Sequence, residues 1–306
     1  MSTLTKGKDF LSIDDCSSEQ FLGLLSLAEQ LKTGKRTASL RGKVLGLVFL
    51  KASTRTRVSF TVAMYQLGGQ VIDLSPSNTQ VGRGEPVRDT ARILSRYVNA
   101  LAIRTFAQAE IEEYAQYATI PVINALTDLE HPCQILADLL TVQEAFGDLA
   151  GRKLAYIGDG NNVAHSLLLG CAKAGVSVAI ATPTGFAPDP AIVARAEEIA
   201  AQTGSNVIIT TDPHEAVADA DALYTDVWAS MGQEEESISR QTLFRDFQIN
   251  STLLKQAKPN AIVLHCLPAH REEEITNEVI EGPQSWVWQQ AENRLHVQKA
   301  VLASLA

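Results

Sequence analysis

The sequence predicts an α/β fold in two domains, each a mostly parallel sheet flanked by helices and joined by long helices. Three observations lead there. Short apolar runs rich in β-branched residues alternate with longer amphipathic stretches, which is the β-α-β rhythm of a parallel sheet. Glycines punctuate the ends of the helical stretches, at Gly68-Gly69 and at Gly147 with Gly151. The chain has 306 residues, and at roughly 150 per domain that is enough for two domains with a core in each.

In chain order, 44–50 reads as a buried strand, 55–67 as an amphipathic helix and 71–74 as the next strand. Short strands follow at 100–103 and 121–124, with helix-like segments around them, and a long helix runs from His131 to about Phe146. A second series places strands at 153–157, 177–181, 206–210, 222–225 and 261–264, with a helix at 191–203 among the connections. The last helix is expected over about 292–305. The domains are therefore expected at 1–146 and 147–291, with the terminal helix packing back on the first.

Composition narrows the function. Hydrophobic residues are 45%, charged residues 20% and aromatic residues 6%, an ordinary globular balance that argues against disorder. The net charge of −9 repels polyanions, so nucleic acid is not an expected partner, and a small anionic ligand requires a focused cluster of positive groups. The four cysteines form no C-x-x-C pair, which speaks against a thiolate zinc site or a disulfide framework. No apolar run approaches the ~20 residues of a membrane span, and the first residues lack the apolar core of a signal peptide. A cytoplasmic setting without membrane contact is expected.

In such folds ligands lie beyond the carboxyl ends of strands. Ser53-Thr54-Arg55-Thr56-Arg57 follows the first strand and opens a helix. Either hydroxyl of Ser53 or Thr54 suits an N-cap, and the free N–H groups with two guanidiniums suit a phosphate. The alternative is a capped helix with solvated arginines. Arg104 ends another strand. His131-Pro132-Cys133-Gln134 starts the long helix, with Pro132 in the first turn where its missing N–H costs nothing. His131 reads either as a hydrogen-bond donor to a carbonyl ligand or as an ordinary capping residue.

In the second half, Gly158-Asp159-Gly160-Asn161-Asn162-Val163 follows a strand. Val163 stands where a dinucleotide fingerprint wants its third glycine, so two readings remain: a nucleotide turn, or Asn162 displayed as a polar ligand. Asp226 also follows a strand and suits either an amine or a helix cap. His265-Cys266-Leu267-Pro268-Ala269-His270 lacks zinc spacing.

Taken together these stretches resemble the aspartate and ornithine carbamoyltransferases, in order and over essentially the whole chain. Ser53 to Arg57 is similar to the family's carbamoyl phosphate loop, which implies phosphate on Ser53, Thr54, Arg55 and Thr56. His131-Pro132-Cys133-Gln134 matches His-Pro-x-Gln, implying both side chains on the carbamoyl group, and Arg104 matches an arginine bridging phosphate and carbamoyl oxygen. Arg294, in Glu292-Asn293-Arg294, matches a further arginine on that oxygen. Gln80, in Asn78-Thr79-Gln80-Val81-Gly82, resembles a residue lent to a neighbouring subunit, so the family likeness implies a homotrimer.

Asp226-x-x-x-Ser230-Met231-Gly232 resembles the ornithine-binding loop, not the pattern of the aspartate-using members. His265-Cys266-Leu267-Pro268 likewise replaces their His-Pro-Leu-Pro. The resemblance implies Asn162, Asp226, Ser230 and Met231 on ornithine, and Cys266 with Asp226 at its amine. It also implies a cis Leu267-Pro268 peptide with the Leu267 carbonyl on the carbamoyl NH2. Arg104, His131, Asp226, Cys266 and Arg294 would then be catalytic, giving citrulline and phosphate with no metal or organic cofactor.

Overall fold

The computed structural model describes residues 2–75, 80, 84–229 and 237–306. The chain divides into two compact units, Met1–Leu140 with Asn293–Ala306, and Thr141–Glu292.

In the first unit the elements run α1 (Ser18–Lys32), β1 (Val44–Phe49), α2 (Arg55–Gln66), β2 (Gln70–Asp73), α3 (Val87–Leu94), β3 (Ala100–Arg104), α4 (Gln108–Tyr117), β4 (Val122–Leu126) and α5 (Pro132–Phe146), the last crossing into the second unit. The four strands form one parallel sheet in the order β2-β1-β3-β4. β3 is buried along its whole length and β1 nearly so, as central parallel strands with helices on both faces must be. Val48, Leu101, Ile103, Ile111, Tyr114 and Val122 share one core cluster. β2 is the edge, and Ile72 on it is 46% exposed. At the other edge Phe10 extends the sheet: its N–H donates to the Val122 carbonyl (2.9 Å), and its carbonyl takes the Asn124 N–H (2.8 Å).

The second unit continues with β5 (Lys153–Ile157), α6 (Asn162–Ala174), β6 (Ser177–Ala181), α7 (Pro190–Thr203), β7 (Val207–Thr210), α8 (Pro213–Val217), β8 (Ala222–Thr225), α9 (Ser237–Leu243), α10 (Ser251–Leu254), β9 (Ile262–His265), α11 (Asn277–Ile280) and α12 (Val287–Leu305). Its parallel strands are ordered β7-β6-β5-β8-β9. α12 begins five residues before the expected start. Val287 is fully buried in the core of this unit, so packing rather than local pattern begins the helix there. Its last residues belong to the first unit, held by Lys32 Nζ on Asn293 Oδ1 (2.8 Å) and by the Gly7 N–H on the Leu305 carbonyl (3.0 Å).

Strand order explains where function can sit. In each sheet the order of strand addition reverses once, between β1 and β3 in the first and between β5 and β8 in the second, and at such a point the loops after the strands diverge and leave a crevice. The stretches singled out in the sequence follow β1, β4, β5, β8 and β9, and Arg104 ends β3. Gly160, after β5, is needed for close approach: a Cβ there would lie 2.4 Å from the Phe186 carbonyl oxygen and from Pro188 N. Packing thus accounts for this glycine without a nucleotide. Gly160→Ala should lower the urea midpoint of unfolding, with a loss of about 1–3 kcal/mol from overpacking; an unchanged midpoint would count against this contact.

Candidate active site

In the first unit, α2 begins directly after the β1 loop. Thr54 occupies the N-cap position, but its side chain makes no cap hydrogen bond of the kind the sequence led us to expect. Its φ and ψ of −80° and −56° are already helical, which turns the hydroxyl away from the capping geometry. The first turn of α2 therefore offers N–H donors uncovered by a hydroxyl cap, together with the positive end of the helix dipole. Arg55 is half-buried, and its Nε is buried without a hydrogen-bond partner among the described residues. Arg57 differs from expectation: its guanidinium pairs with Asp73 and lies over the Phe49 ring, so one of the two arginines is committed to β2.

Thr56 is buried, and its Oγ1 accepts from Arg294 Nη2, a contact between residues 238 positions apart. Arg104, at the end of β3, and Arg294, on α12, are 6% and 3% exposed. Between them in sequence lies His131, also buried, just before Pro132 opens α5. Burial holds the His131 imidazole well below its ordinary pKa of 6.5, and the positive charges of Arg294 and Arg104 push the same way. His131 is therefore a neutral ring at neutral pH. Burial also raises the neighbouring Cys133 thiol to about 12, with Arg294 opposing, so it stays protonated. Gln134 donates from Nε2 to Asp138 Oδ1 (2.8 Å), leaving its buried Oε1 as an acceptor without a partner among the described residues.

Sequence reasoning missed Lys51. It is buried at the end of β1, with Nζ 2.5 Å from Asp128 Oδ1 and 4.2 Å from the centre of the Phe106 ring. A lysine two residues before Ser53 on a strand end was the available signal. Gln80 is exposed.

In the second unit three segments meet at one carboxylate. Asp226, the residue after β8, is 7% exposed. Its Oδ1 accepts the Val227 N–H (2.8 Å) and the Cys266 thiol (2.9 Å), and its Oδ2 accepts Asn161 Nδ2 (2.9 Å). Asn161 also caps α6, its Oδ1 taking the Val163 and Ala164 N–H groups at 2.9 and 3.2 Å. The sequence favoured Asn162, which is half-exposed in the first turn of α6; the residue joined to Asp226 is its neighbour. Ser230 and Met231 lie outside the described residues.

Behind this cluster, Arg240 joins Asp159 Oδ2 (2.7 Å) to the Trp228 carbonyl (2.8 Å). Burial raises the Asp159 carboxyl above its usual range, against the lowering effect of Arg240. Asp226, His265 and Cys266 come close enough to suggest metal ligands. Both ring nitrogens of His265 are committed, however: Nδ1 accepts the Leu267 N–H (2.9 Å) and Nε2 faces Glu274 Oε1 (3.0 Å). The donor set therefore fits an amine-facing carboxylate better than a metal. The Leu267-Pro268 peptide is cis.

The neutral His131 makes stability depend on pH. Below about 6.5 the unfolded chain binds a proton at this position and the folded chain does not, so stability falls as pH falls toward the depressed native pKa. This group alone should contribute ~1.4 kcal/mol per pH unit over that window in urea unfolding. His131→Asn should flatten the slope by that amount, and equal slopes for the two proteins would refute the depressed pKa.

Comparison with known proteins agrees over both units. A family model described as aspartate/ornithine carbamoyltransferase, carbamoyl-P binding domain, matches residues 8–144, and one described as the Asp/Orn binding domain matches residues 150–305. The chain is similar to an ornithine carbamoyltransferase of Gloeobacter violaceus, with 72% identity over 97% of this chain and 95% of that protein. Among solved structures, an ornithine carbamoyltransferase from Gloeobacter violaceus matches with a TM-score of 0.91 and 66% identity, covering 99% of each chain. One from Pyrococcus furiosus matches with a TM-score of 0.94 and 50% identity, over 98% of this chain and 97% of that one.

Proposed function

The chain belongs to the aspartate/ornithine carbamoyltransferase family, and on that premise we propose that it transfers the carbamoyl group of carbamoyl phosphate to the side-chain amine of L-ornithine, giving L-citrulline and phosphate, as a step of arginine biosynthesis. The observation that carries the choice of acceptor is the chain-long likeness to proteins named ornithine carbamoyltransferase, at 72% identity. Asp226 and the Cys266 thiol, bonded at 2.9 Å, supply chemistry suited to an amine.

In this reading the phosphate rests on the N–H groups opening α2 and on Ser53, Thr54, Arg55 and Thr56. Arg104, His131, Arg294 and Thr56 surround the carbamoyl oxygen, where negative charge grows as the amine attacks. A neutral His131 can donate one hydrogen bond there without adding a titrating charge. The carbamoyl NH2 is held by Gln134 Oε1 and the Leu267 carbonyl. Ornithine is held by Asn162, Ser230 and Met231, with its amine at Asp226 and Cys266.

The free amine has a pKa near about 10.4, and a carboxylate alone favours the ammonium, so desolvation must favour the neutral nucleophile. Its nitrogen bonds to the carbamoyl carbon, the bond from that carbon to the phosphate oxygen breaks, and the departing phosphate takes the proton. The chemistry calls for neither a metal nor an organic cofactor.

The assembly we propose is a homotrimer in which Gln80 serves a neighbouring subunit's phosphate. The exposed apolar side chains Val58 and Tyr65 of α2, seven residues apart on one helical face, support contact with a second copy. So does the exposed edge strand β2, which a neighbour would cover. Among the described residues no helix is long and apolar enough to cross a membrane, which supports a cytoplasmic setting.

Citrulline formation with L-ornithine should exceed carbamoylation of aspartate, putrescine and N-acetylornithine; preference for any of these would overturn the choice of acceptor. Arg55→Ala should weaken carbamoyl phosphate binding by about 100-fold or more in calorimetry while the circular dichroism spectrum is unchanged, as expected for loss of a charge-assisted fork. Unchanged affinity would remove Arg55 from the phosphate site. Sedimentation of the purified protein should give three times the chain mass.

A further inference from the structure

His265 ends β9 and is 1% exposed. Its Nδ1 accepts the Leu267 N–H at 2.9 Å, so Nδ1 carries the lone pair and the ring proton sits on Nε2. Nε2 in turn points at Glu274 Oε1, 3.0 Å away, and Glu274 is fully buried. The other tautomer would set N–H against N–H at Leu267 and a lone pair against the carboxylate. The Glu274 carboxylate therefore selects the tautomer that can hold Leu267. Leu267 needs that hold: its φ of 58° lies in the left-handed region, which disfavours a branched side chain.

Every other link of this brace is anchored in the same unit. Glu274 Oε1 also accepts the His270 N–H (2.6 Å), and the Glu274 carbonyl accepts the Ile249 N–H (2.9 Å). The backbone N–H of His265 donates to Gln290 Oε1 (2.8 Å) on the buried face of α12. A buried carboxylate is costly where packing alone would serve, and here its bonds run to the His-Cys-Leu-Pro turn.

We propose that Glu274 is a positioning residue that acts through His265 to hold the Leu267 peptide, and with it the carbonyl that receives the carbamoyl NH2. The proposal deepens the carbamoyl-transfer reading and rests on it for the last link. Glu274 does not touch substrate. Its effect is to keep the acceptor carbonyl preorganised, so its loss acts on the step in which the carbamoyl group is held for attack.

The test compares the full-length protein with Glu274→Gln and Glu274→Ala. Long-range ¹H–¹⁵N spectra, with the His265 signals assigned by their loss in His265→Asn, should show the proton on Nε2 in the wild type and in Glu274→Gln, whose amide oxygen still accepts it. In Glu274→Ala the ring should move to a tautomer mixture. Kinetically, Glu274→Ala should lose about 10–100-fold in kcat with the KM for ornithine within about twofold of wild type, and Glu274→Gln should recover most of the loss. A wild-type His265 protonated on Nδ1 overturns the proposal. So does an active wild type whose Glu274→Ala variant keeps its kcat. If Glu274→Ala does not fold, the tautomers of the wild type and Glu274→Gln still decide. A wild type that makes no citrulline refutes the carbamoyl-transfer reading instead, and leaves the tautomer result to judge the brace.

Discussion

Two permanently charged guanidiniums buried beside a neutral imidazole are the constraint on which the first unit depends. Arg104 and Arg294 cannot shed their protons, and a buried cation is costly unless the site supplies compensating bonds or an anion. Burial first, and their charge after it, keeps His131 neutral, and that charge works with the uncapped amides opening α2 to favour a negative guest. On a chain with a net charge of −9, this concentration of positive groups is local. It is assembled from β3, the start of α5 and α12, so the return of the chain end to the first unit is part of building the site. The Arg294–Thr56 hydrogen bond is the tie that records this.

The second unit solves the opposite problem. Its central group is an anion, Asp226, held by donors from the turn after β5, the end of β8 and the end of β9. Three bonds to one carboxylate orient it without neutralising it, leaving charge available for a cationic or hydrogen-bond-donating ligand. Arg240 and Glu274 stand one layer behind: Arg240 joins the turns after β5 and β8, and Glu274 backs the turn after β9. The same fold rule therefore produces two sites of opposite charge. Parallel strands end together, and the residues that follow them decide which sign is displayed.

How far the sequence could be read differs between elements and contacts. The strands at 153–157, 177–181 and 222–225 were legible to the residue, because central parallel strands are continuous apolar runs bounded by turn residues. The residues at strand ends were legible for the same reason. What local pattern could not supply was partnership: Asn161, which the sequence did not single out, reaches Asp226, and Arg57 turns to Asp73 while Arg55 does not. Lys51 and Arg240 were missed because each matters through a partner distant in sequence, and Glu274 because its bond to His265, nine residues away, has no spacing signature of its own.

By itself, then, the order of residues determined the alternation of strands and helices, the two-sheet class and the motif families at the strand ends, because those depend on local periodicity and short-range turn chemistry. Tertiary structure alone decided that α12 starts at the buried Val287, that the Thr54 hydroxyl leaves α2 uncapped, and that His265 takes the tautomer imposed by Glu274. Those outcomes turn on which groups are packed together and deprived of water, and burial is a property of the folded chain that no window of sequence contains.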